Sequence, residues 1–176
     1  MGEVVPFARI TDLFEEFEHT AWRLESRRQY ASDLASARFA HFLANEHRLP
    51  QGPDHPWKQN VRRQLALGKT FGRVRTVDDP LTDNQRFLLA SALESPEDIR
   101  VLRRTRAEEM GLPAEDVWIF DSKITARLVF DEQDRTLGVV VSQDPADVVR
   151  VCQIRDAAQH YAVPSREFAA ALPSGV

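Results

Sequence analysis

Arginines at alternate positions of an extended stretch present their guanidinium groups on one side, and Arg73 and Arg75 stand at that spacing within Thr70 to Val77. Arg86 falls one turn into a segment opening Thr82-Asp83-Asn84-Gln85, whose Thr and Gln have the spacing of a capping box. Its charge would therefore sit near the positive end of a helix. Asp121 closes the apolar run Val117-Trp118-Ile119-Phe120 and is the carboxylate that could meet such a cluster. Together Arg73, Arg75, Arg86 and Asp121 form a candidate anion pocket for a phosphate or carboxylate. The same arginines, with Arg100, Arg103 and Arg104, could equally be a solvated basic face, and a strand-end aspartate is as often a turn former.

A second constellation lies in Glu18 to Glu25, where charged and aromatic residues crowd a span that reads as a half-buried strand, with Tyr30 close behind. His19, Arg23, Glu25 and Tyr30 are secondary candidates, and Trp118 joins them. An Arg-Glu pair here would orient a ligand or simply neutralise itself under the helices. No metal site is expected: the five histidines form no HxxxH or HxH pair, and Cys152 has no second cysteine to join it. No GxSxG, GxxxxGK[ST] or GxGxxG motif is present, and no cofactor is expected. Cys152 sits on the apolar side of a helical pattern, the setting of an inert thiol.

The elements that must position these groups follow from patterning. Of 176 residues, 43% are apolar and 28% charged, the balance of an ordinary globular chain. Net charge is −4 overall but segmented, about −2 over 1–61, about +4 over 62–106 and about −6 over 107–176. The middle third is the candidate anion-binding region, while the acidic whole argues against a dedicated nucleic-acid binder. With no apolar run long enough to span a bilayer, no secretory signal and a single cysteine, the expected compartment is the cytoplasm.

Helices are predicted over Thr11 to His19, Ser32 to Glu46, from Trp57 to Gly68, over Phe87 to Leu93, around Thr105 to Glu108, and after Asp144-Pro145. Strands are predicted at Ala21 to Glu25, Thr70 to Val77 and Ile99 to Arg103, then as a meander through Val117 to Phe120, Ile124 to Phe130 and Leu137 to Val141. Only Leu172 to Val176 reads as a loose tail. The expected fold is α+β: one mostly antiparallel or mixed sheet of about five strands, with helices packed mainly on one face. One domain covers 1–176, divided into a helical part (10–68), a sheet-forming part (69–142) and C-terminal helices (143–172).

The stretches LFEEFEHTAWRLESRRQY (13–30), GRVRTVDDPLTDNQRF (72–87), EDIRVL (97–102), DVWIFDSKITARLVFDEQDRTLG (116–138) and RDAAQHYAVPSREF (155–168) resemble an actinobacterial family of unknown function. Its members are usually encoded beside XRE-type helix-turn-helix regulators. The resemblance implies a regulatory role acting with such a regulator. Ser91 to Glu97 departs from the family pattern, being shorter, which puts ligand contacts from that loop in question. The strand-helix-strand before a strand ending in Asp is also faintly similar to half of a phospholipase-D-like domain, without its HxK pair. The reading that emerges is a non-enzymatic regulatory protein that binds a helix-turn-helix partner or a small anionic ligand. The alternatives are an enzyme acting on a phosphorylated, nucleotide or aminoacyl substrate, and a nucleic-acid-binding module.

Overall fold

The computed structural model describes residues 2–53 and 55–173; the tail residues 174–176 lie outside the described residues. Eight strands form one sheet in the order β1-β7-β6-β5-β2-β3-β4-β8. They are β1 (Val4–Val5), β2 (Thr20–Glu25), β3 (Thr70–Val77), β4 (Asp98–Arg103), β5 (Val117–Phe120), β6 (Ile124–Phe130), β7 (Thr136–Ser142) and β8 (Val163–Pro164). β2, β3 and β4 run parallel, and every other pairing is antiparallel. The mixed α+β architecture agrees with the patterning, but the sheet is wider than the five strands expected. Two of the additional strands, β1 and β8, are two-residue pieces too short to show a period of two.

The helices are α1 (Leu13–Glu16), α2 (Ala31–Leu34), α3 (Ala37–Ala44), α4 (Pro56–Ala66), α5 (Asp83–Leu93), α6 (Arg104–Glu109), α7 (Pro145–Tyr161) and α8 (Ser165–Ala170). The helix predicted over Ser32 to Glu46 is two helices, because Ser36 turns extended and caps α3 by accepting from the Phe39 amide at 3.1 Å. The capping box of α5 is present, with Thr82 and Gln85 each satisfying the other's backbone amide. The one expected from Thr105 and Glu108 is not: α6 begins two residues earlier, after Arg103, with no side-chain cap.

Parallel strands need crossovers that leave and re-enter the sheet, and these carry helices. α2, α3 and α4 connect β2 to β3, and α5 connects β3 to β4. Alternation then divides the core. Phe14, Ala21, Val61, Phe71, Trp118, Phe120 and Leu128 meet on one face under α1 and α4. Trp22, Leu24, Val74, Val117 and Ile119 meet Val151, Ile154 and Ala158 of α7 on the other, where Ala107 of α6 joins them. All four residues of β5 are buried, which suits a central strand covered on both sides. The second face is thus covered by the longest helix in the chain, α7.

Candidate ligand-binding cleft

The face beneath α1 and α4 changes character across the middle of the sheet. Arg23 lies opposite Trp118 on β5 and Arg73 on β3, and Glu25 lies opposite Arg75. Strand alternation therefore sends Arg23, Glu25, Arg73, Arg75 and Trp118 to one side, toward one another. Arg73 and Arg75 of one constellation thus meet Arg23, Glu25 and Trp118 of the other.

Glu25 is its hub. Its carboxylate accepts from Arg73 Nη1 at 2.6 Å and from Arg75 Nε, and lies 3.2 Å from Arg23. Arg23 Nη2 reaches Asp116 at 2.9 Å, and the same aspartate accepts from the Tyr30 hydroxyl at 2.6 Å and the Ser26 amide at 2.8 Å. Arg73 turns its other edge to Glu97, Nε at 3.2 Å and Nη2 at 2.9 Å, and Trp57 Nε1 donates to that carboxylate at 2.7 Å. Arg75 Nη1 donates to the Leu88 carbonyl at 2.6 Å, tying the cluster to α5. Three arginines thus face three carboxylates. Trp118 lies between Arg23 and Arg73, its ring 5.6 and 5.3 Å from their guanidinium carbons.

Burial alone would raise the Glu25 carboxyl's affinity for its proton, but Arg73, Arg75 and Arg23 together hold it well below the usual carboxylate range. Burial pushes the Tyr30 phenol up, and the negative charges of Glu25 and Asp116 push it further. Glu25 is thus held in its charged form, with Tyr30 neutral beside it.

Two openings reach it from the surface. One, of about 420 Å³, has walls from Phe14, Trp57 and Trp118, a floor from Arg23 and Arg73, and Ser91, Ser95 and Glu97 at its side. The other, of about 550 Å³, approaches over Tyr30, Asp33 and Phe130. Phe7 lines both, as do Arg23, Arg73 and Arg75. The shortened Ser91 to Glu97 segment, questioned as a source of contacts, supplies three of the lining residues.

Of the four primary candidates, Arg73 and Arg75 come together in the cluster, whereas Arg86 and Asp121 do not join them. Arg86 lines a separate surface cavity with Phe42 and His47. Asp121, at a left-handed φ of 52°, accepts from the amides of Glu18, His19 and Thr20 at 2.7, 2.7 and 2.8 Å. Burial opposes its ionisation, but those three amides hold it below the ordinary value. It is the turn former that starts β2 in register with β5. His19 is exposed, 3.8 Å from Glu18, and lines neither opening. The residues that sequence reasoning missed are Trp57, Glu97 and Asp116. Each carboxylate precedes its strand but keeps the strand's alternation: Asp116 is two before Trp118, and Glu97 two before Ile99. Among the described residues, no group of three or more His, Cys, Asp or Glu could hold a metal ion.

A family model described as a domain of unknown function (DUF6879) matches residues 8–170. No curated protein matches the chain in sequence. Among solved structures, the fold is similar to that of NucT from Helicobacter pylori, with a TM-score of 0.56 at 10% identity over 93% of this chain and 97% of that one. The archaeal chromatin protein TrmBL2 aligns with a TM-score of 0.49 at 11% identity, over 93% of this chain and 55% of that one.

Proposed function

Because the chain belongs to the DUF6879 family, which brings no activity with it, we propose a function from the cleft: a non-enzymatic regulatory protein that binds a small anionic effector. The observation that carries this reading is the convergence of Arg23, Arg73 and Arg75 from adjacent strands beneath an aromatic-walled opening. Bidentate arginine forks recognise carboxylate and phosphate oxygens, and tryptophan walls supply apolar contact to the rest of a small ligand. Catalysis is the weaker reading. A general base near neutrality needs a raised carboxyl affinity, and Glu25 is driven the other way.

In this reading the effector state is passed to a helix-turn-helix regulator, a partnership that rests on the family resemblance found in the sequence. No helix among the described residues is long and apolar enough to cross a membrane. Calorimetric titration of the purified protein with sodium benzoate, indole-3-acetate and inorganic phosphate tests the cleft. Saturable binding of at least one, lost in Arg73→Lys with the far-UV circular dichroism spectrum unchanged, is expected; absence of binding by all three overturns the reading. Co-expression with a neighbouring regulator followed by size-exclusion chromatography tests the partnership, and separate elution with and without the bound anion overturns it.

A further inference from the structure

Glu97 differs from the other two carboxylates of the cluster in where it is held. Glu25 lies within β2, and Asp116 is tied to Ser26 and Tyr30 as well as to Arg23. Glu97 sits on the short connection between α5 and β4, where Ser95 Oγ accepts from its own amide at 3.2 Å. Its side chain is nonetheless only 3% exposed, laid across the wall of the cleft. There it takes two N–H groups of Arg73 and the indole N–H of Trp57. Those donors form a complete carboxylate site, and the chain's own glutamate fills it.

We propose, building on the anion-cleft reading, that Glu97 is a tethered competitor and that the effector is a monoanionic aromatic carboxylate which displaces it. Three features support that class. The paired charges of the cluster balance with Glu97 in place, so moving one carboxylate into water leaves room for a single negative charge. The Nε and Nη2 edge of Arg73 holds one carboxylate oxygen and the Trp57 indole N–H the other, a donor set for a planar carboxylate. Phe14, Trp57 and Trp118 pack on one another at centroid distances of 4.9 to 5.9 Å and together line the opening with aromatic surface against which a flat ring can lie. Displacement is local because Arg73 keeps Glu25 and because Glu97 belongs to a connection rather than to a strand. An expelled Glu97 would regain full hydration, which offsets part of the lost contact with Arg73. The α5–β4 connection would then report ligand occupancy at the surface.

The test is calorimetric titration of wild type, Glu97→Gln and Trp57→Phe with benzoate and with inorganic phosphate, each variant checked for an unchanged circular dichroism spectrum. The glutamine substitution keeps the size of the side chain without its charge. We expect Glu97→Gln to bind benzoate at least about tenfold more tightly, the scale of one charge-assisted contact no longer contested. Trp57→Phe, which keeps an aromatic ring and removes a donor that Glu97 and the ligand would share, should change benzoate affinity less than Glu97→Gln does. Equal or weaker benzoate binding by Glu97→Gln overturns the competitor role while leaving an anion-binding cleft intact. Saturable binding of phosphate without benzoate overturns the ligand class alone. Absence of binding to either anion in all three proteins removes the cleft reading itself, and this inference with it.

Discussion

At the scale of single residues, the centre of the molecule is Glu25. Breaking a buried ion pair by removing one partner leaves an uncompensated charge and costs about 3–5 kcal/mol. Glu25→Gln strands parts of three guanidinium groups at once, so a loss of that order is expected in urea unfolding. The same residue shapes acid stability. Its native carboxyl lies below its ordinary value near 4.5, so its contribution is complete above pH 4.5 and lost as pH falls through the native value. Asp33, which burial raises, runs in the opposite sense. Wild type should therefore lose more stability between pH 5 and pH 3 than Glu25→Gln does. Tyr30 sets the alkaline side. Its phenol is raised above 10.0, so the stability it contributes is present below pH 10 and lost as pH rises through the native value. Tyr30→Phe should cost about 1–3 kcal/mol at pH 7, through the lost bond to Asp116, and should flatten the alkaline limb of the stability profile. Much of this cluster was legible from spacing, since Arg73 and Arg75 share a strand face and Arg23 and Glu25 share another. Asp121 stays apart from the arginines for a reason that parity supplies. It follows β5 in step with Val117 and Ile119, which meet α7, whereas Asp116 precedes the strand in step with Trp118 and faces the arginines.

At the scale of elements, the strands that carry the cluster were legible, because each runs at least four residues, β2 with alternating apolar and polar residues and β5 as an unbroken apolar run. The sheet's outer strands were not: β1 and β8 are defined by what they pair with, and pairing partners more than sixty residues away leave no local signature. β1 matters because the 3-10 turn Phe7–Ile10 follows it and carries Phe7 over the cleft. Its seat depends on Gly138 of β7. A Cβ there would run into the Val5 carbonyl oxygen and crowd Val4, and the backbone φ of 157° is one that other residues rarely adopt. Gly138→Ala should detach β1 at a cost of about 1–3 kcal/mol. Faster amide exchange at Val5, with the amides of β2 and β3 still protected, is the expected signature. Uniform loss of protection across the sheet would show instead that the strand cannot be released separately.

At the scale of the whole molecule, the cluster binds distant parts of the chain into one unit. Arg23 and Asp116 are 93 residues apart in sequence, and Arg73 is 48 from Glu25. The opposite face depends on α7, which closes over Trp22 and Leu24 of the same β2. Loss of either layer exposes the central strand, so unfolding followed by far-UV circular dichroism and by tryptophan fluorescence should give coincident transitions. Two separated transitions would divide the fold between the cluster and the α7 face. Patterning in the sequence anticipated the α+β layering, but the closing of charges inside the sheet could not be seen there, because it needs the register of four strands. That closure bears on how a ligand arrives. A site whose charges cancel against one another projects little field beyond about 10 Å at ordinary salt. An anion is therefore not drawn in from a distance, and its association rate should change little between about 20 mM and about 300 mM salt, unlike sites that steer their ligands. Discrimination would begin only after collision, in how long the ligand stays.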